Sequence, residues 1–110
     1  MESKDQDRLS AKLYAIDFRV AELDYEMQRT KVQVLQLEAQ LENAKLAQLV
    51  GGEARDPAEI GPELERSRGS LESQQELLDQ VKKSQWKTRV HLTALKAKAR
   101  MDQRQREEAE

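Results

Sequence analysis

The chain has 110 residues, of which 36% are charged and 4% aromatic, with a net charge of −2 and no cysteine. That length allows one domain at most. A composition rich in Ala, Glu, Lys, Leu, Arg and Gln excludes a sheet-rich globule and favours long helices or coiled coil.

Without cysteine there is no disulfide framework, thiol nucleophile or zinc knuckle, and a reducing compartment fits. The opening MESKDQDR has no apolar stretch of the kind a signal peptide needs. The apolar runs fall far short of the roughly 20 residues that cross a bilayer. The expectation is a soluble, cytoplasmic protein without a membrane role. Charge is unevenly spread: residues 51–79 carry three basic and eight acidic side chains, residues 80–106 nine basic and one acidic, and the last four read EEAE.

The first helix is predicted over about residues 6–50, starting between 4 and 8. Ser3 with Gln6 resembles a capping box, and Asp5 or Asp7 offers an alternative cap. From Leu9 the series Leu13, Ile16, Val20, Leu23, Met27, Thr30, Val34, Leu37, Leu41 and Ala44 keeps 4-3 spacing with Thr30 its one polar member. Five unbroken heptads of this kind make a coiled-coil seam. Gly51 and Gly52 end the helix by supplying left-handed backbone.

A second apolar row runs on the same helix through Tyr14, Phe18, Ala21, Tyr25, Val32, Leu35, Ala39, Leu46 and Leu49, interrupted by Gln28 and Glu42. At 3.6 residues per turn it lies about 150° around from the seam.

Residues 51–62, GGEARDPAEIGP, hold three of the four glycines and both prolines and are predicted as the turn. Asp56-Pro57-Ala58-Glu59 has a cap, a proline at the first helical position and an acid at the third, so one helical turn fits there. Gly61-Pro62 then interrupts it, because proline steers its predecessor away from helical geometry.

The second helix is predicted over about residues 62–104, with Glu63 and Glu65 at its positive end. Its seam reads Leu64, Ser67, Leu71, Gln74, Leu78, Val81, Gln85, Thr88, Leu92, Leu95 and Ala99, with four polar members, and Gly69 is a weak point. The acidic end, residues 105–110, has no apolar face and is expected to fray. Equal helices pair antiparallel with opposite residue numbers summing to about 112, laying the basic segment 85–104 along residues 8–27.

The predicted fold is therefore all-α, a long antiparallel two-helix coiled-coil hairpin. Its second helix covers one row of the first but not both, and an isolated hairpin buries little surface. A helical bundle formed by oligomerisation resolves this, with the second row as its interface. The chain itself, as a dimer or tetramer, is the expected partner; another helical protein or a third helix folded back from residues 57–70 would cover the same row. The interface residues are Tyr14, Phe18, Tyr25, Val32, Leu35, Leu46 and Leu49.

Residues 82–106 present Lys82, Lys83, Lys87, Arg89, Lys96, Lys98 and Arg100, a surface for nucleic-acid phosphates or an acidic protein. The plainer reading is a solvated face with Trp86 as a packing anchor. Its thin apolar face argues against a membrane-surface helix. The acidic stretch 51–79 reads as a solubilising turn or, alternatively, as a docking tip for a basic partner.

Chemistry is sparse. His91 is the one histidine, Gly51-Gly52 lacks the context of a phosphate loop, and solvated glutamates have no pocket to tune them. No cofactor, metal or catalytic activity is expected. The functional expectation is a coiled-coil interaction, scaffold or adaptor protein. A nucleic-acid-binding module and a holdase-type chaperone or export adaptor gripping clients with the apolar row are the alternatives.

Overall fold

The computed structural model describes residues 2–109, with side chains from Lys4 onward. It is an all-α helical hairpin of two helices, α1 (Glu2–Val50) and α2 (Pro57–Ala109), with no strand among the described residues. α1 contains neither glycine nor proline, and Asp5 and Asp7 suit its positive end. It therefore begins by Glu2, upstream of the expected 4–8 start. The Ser3 side chain of the expected capping box lies outside the described residues.

Gly51 at φ 83° and Gly52 at φ 130° end α1 in backbone that only glycine adopts without strain, and the Gly51 N–H donates to the Ala47 carbonyl at 2.8 Å. α2 resumes at once. The Asp56 carboxylate accepts from the Ala58 N–H at 3.0 Å, an N-cap with Pro57 as the first helical residue.

This corrects the predicted turn: it spans residues 51–56, and Gly61-Pro62 lies inside α2. Two causes combine. Gly61 has no Cβ to clash with the proline ring, and Ile60, fully buried, ties this first stretch to α1. Residues 57–70 are thus the start of α2 and do not fold back as a third helix.

The chain forms two compact units. In Glu22–Leu78, the two helices pack antiparallel around Val34, Leu37, Ala44, Ile60 and Leu64, with Leu41 against them. Leu23, Met27 and Leu78 are also buried there, Leu71 half-buried. Each side chain of this size contributes roughly 1.5–3 kcal/mol when fully buried. Arg55 clamps the turn, donating to Gln40 Oε1 at 2.9 Å and to Glu63 Oε2 at 3.0 Å. In the other unit, α1 up to Ala21 packs against α2 from Asp79 onward. Leu13, Ile16, Val20, Val81 and Leu95 are half-buried there and Leu92 is buried.

The shorter turn also corrects the register. In one unit Arg68 meets Glu38 at 3.1 Å; in the other Arg89 meets Asp17 at 3.4 Å, and both pairs sum to 106, not 112. The basic segment 85–104 therefore lies some six residues nearer the start of α1 than residues 8–27. α2 also continues past the expected end near residue 104, to Ala109. Its last turns are strong helix formers, and Gln103 donates to Glu107 Oε1 one turn on.

Candidate interaction surface

All positions in both 4-3 series, Leu9 to Ala44 and Leu64 to Ala99, are buried or half-buried. Their polar members are accommodated unequally. Ser67 and Thr88 are buried, the Thr30 hydroxyl donates back to the Glu26 carbonyl, and Gln85 Nε2 donates to Asp17 Oδ1 at 2.6 Å. Gln74 Oε1 is buried without a hydrogen-bond partner among the described residues. Open grooves lined by Thr30, Gln33 and Gln74 flank this polar level.

Once the seam takes one side of α1, helical periodicity turns the second row outward. In the unit of Glu22–Leu78, Tyr25, Val32, Leu35, Leu46 and Leu49 are exposed, Leu49 by 84% and Leu35 by 64%. In the other unit Tyr14 and Phe18 are exposed by 77% and 62%. Five exposed bulky apolar side chains at helical spacing in one unit and two in the other, in a chain of mean hydropathy −0.91, are not the scattered apolar residues of an ordinary surface.

Lys82, Lys83, Lys87, Arg89, Lys96, Lys98 and Arg100 are exposed along α2. Arg89 pairs with Asp17, and Arg100 Nε donates to the Lys96 carbonyl. Trp86 is no packing anchor: it is 67% exposed in a shallow groove lined by Asp79, Lys82, Lys83 and Lys87. It follows Gln85, a seam position, and so points off the seam. Val90 and Met101 are exposed with it; the anchor-like spacing of Trp86 and Val90 is legible in the sequence, and the continuation of that row through Ala94 and Ala97 to Met101 is what the sequence reading passed over.

The other residue it passed over is Ile60, which stepping back four from Leu64 reaches. His91 is exposed. Among the described residues, no three His, Cys, Asp or Glu side chains gather as a metal site, and no helix is long and apolar enough to cross a membrane. Compared with protein-family models, curated proteins and solved structures, the chain matches none.

Proposed function

We propose that this chain is a non-catalytic coiled-coil scaffold or adaptor that self-associates through the outer row of α1. One observation carries the reading: Tyr14, Phe18, Tyr25, Val32, Leu35, Leu46 and Leu49 are 53–84% exposed on one helical row. Burying such residues is worth roughly 1.5–3 kcal/mol each, enough across two copies to exceed an association cost of about 4–15 kcal/mol. A second copy offers the same row in return, which is how symmetric assemblies form.

The test is the variant with both Phe18→Glu and Leu35→Glu. Light scattering after size-exclusion chromatography should show a smaller mass, with the far-ultraviolet helical signature retained. An assembly that survives both changes would remove this row as the interface. A parent protein that is monomeric and suppresses client aggregation would favour a chaperone role for the same row.

A second reading rests on Trp86, exposed between Lys82, Lys83 and Lys87. A stacking aromatic beside cations suits a nucleic-acid strand. Fluorescence anisotropy with random DNA should then show binding that weakens steeply with salt, and no binding at low salt would eliminate it.

A further inference from the structure

We infer that the outer face of α2 from Trp86 to Met101 docks an acidic amphipathic helix of a partner protein. The inference concerns a different helix from the self-association reading and does not rest on it. It competes with the nucleic-acid reading for the same cations.

The face lies within one unit, the one that holds α2 from Asp79 onward. Trp86, Val90, Ala94, Ala97 and Met101 are all exposed there, while the seam positions Gln85, Thr88, Leu92 and Leu95 are buried or half-buried. Steps of four, four, three and four residues keep the exposed five on one side of the helix. At 1.5 Å per residue the row is about 22 Å long. A row of that rhythm is complementary to another helix with apolar residues three and four apart. In its middle Ala94 and Ala97 let a partner backbone come close, and at its ends Trp86 and the adaptable Met101 supply bulk.

Charge defines the partner's chemistry. Lys82 and Arg100 flank the row on one side, Lys87 and Lys98 on the other, and Lys83 and Arg104 stand at its ends. Residues 80–106 carry nine basic side chains against one acid, Asp102, which is half-buried off the row. Cations on both flanks of an apolar row match a helix whose own apolar row is flanked by Asp or Glu. Such complementary fields speed encounter with that partner and disfavour basic ones. A second copy offering this same face would set cation against cation.

Other occupants use less of the face. A nucleic-acid strand engages the cations and stacks on Trp86 but gains nothing from Val90 and Met101. An anionic membrane calls for bulkier residues than Ala94 and Ala97.

Trp86 is the chain's one tryptophan, so its emission reports on this face directly. The probe is an acidic peptide of about three heptads without aromatic residues, leucine at the a and d positions and glutamate at e and g. Titrated into the protein at low salt, it should shift Trp86 emission saturably to shorter wavelength as the ring leaves water. A scrambled peptide of the same composition should not. Val90→Ser with Met101→Ser, both exposed, should keep the helical signature and weaken binding at least about ten-fold. Lys87→Gln with Lys98→Gln should weaken it too and flatten its dependence on salt.

No shift with the ordered peptide, or an equal shift with the scrambled one, would overturn the inference. Binding unmoved by the Val90→Ser, Met101→Ser variant would do the same. Tighter binding of single-stranded oligothymidylate, or of phosphatidylserine vesicles, would overturn it in favour of nucleic acid or a membrane.

Discussion

The sharpest check on the fold is Ile60→Ala. Ile60 is fully buried, within the cluster of Val34, Leu37, Ala44 and Leu64. The substitution removes three carbons at about 0.8 kcal/mol each, or roughly 2.4 kcal/mol. Incomplete collapse adds a cavity term near 24 cal/mol per Å3, so a residual void of about 40 Å3 adds about 1 kcal/mol. The expected loss is therefore about 3–4 kcal/mol, a large part of the whole for a chain of this size. Urea unfolding followed by circular dichroism at one fixed protein concentration would measure it, with the exposed Val50→Ala as a control expected within about 0.5 kcal/mol of the parent. A loss below about 1 kcal/mol for Ile60→Ala would mean that residues 57–61 do not pack on α1 and that α2 begins at Pro62.

Two further substitutions probe individual polar groups. Gln74→Leu removes a buried amide oxygen that has no partner among the described residues, so the urea midpoint should rise, by about 1 kcal/mol in stability; a fall would show that the oxygen is satisfied. Asp56→Ala should cost about 1 kcal/mol through loss of the bond to the Ala58 N–H, while Asp56→Asn keeps most of it. Equal losses in the two variants would mean that the side chain does not act as a cap.

The seam could be read in advance because its cause is local. A 4-3 rhythm turns every such residue to one side of any helix, whatever the partner, and Leu23, Met27, Leu37, Leu64, Leu78 and Leu92 lie buried along it. The turn was legible only in part. Gly51 and Gly52 announce a stop through their own backbone freedom, but where the chain resumes depends on what Ile60 touches across the hairpin. The local rule for a residue before proline points to a break at Gly61; burial of Ile60 outweighs it, and the register of the entire hairpin shifts as a consequence. The exposure of Trp86 follows from the same geometry, since its offset from the seam is visible in the sequence while its apolar bulk suggests the opposite.

The two rows of α1 are energetically linked through the weakness of α2. Where α1 offers Leu, Val and Met to the seam, α2 returns Ser67, Gln74, Gln85 and Thr88, so the pairing within one chain buries less apolar surface than the pairing of two regular heptad helices would. Hydrogen bonds such as Gln85 to Asp17 fix a register without adding much stability. A hairpin stabilised in this way gains from any association that needs its folded form, by an amount that grows with protein concentration. If the outer row holds copies together, the double variant Phe18→Glu, Leu35→Glu should therefore lower the melting temperature as well as the mass, although neither side chain touches the seam. The parent protein's melting temperature should also rise with concentration while the variant's stays constant. An equal, concentration-independent melting temperature for both would separate the fold of the hairpin from its assembly, and would leave the outer row without a stabilising role.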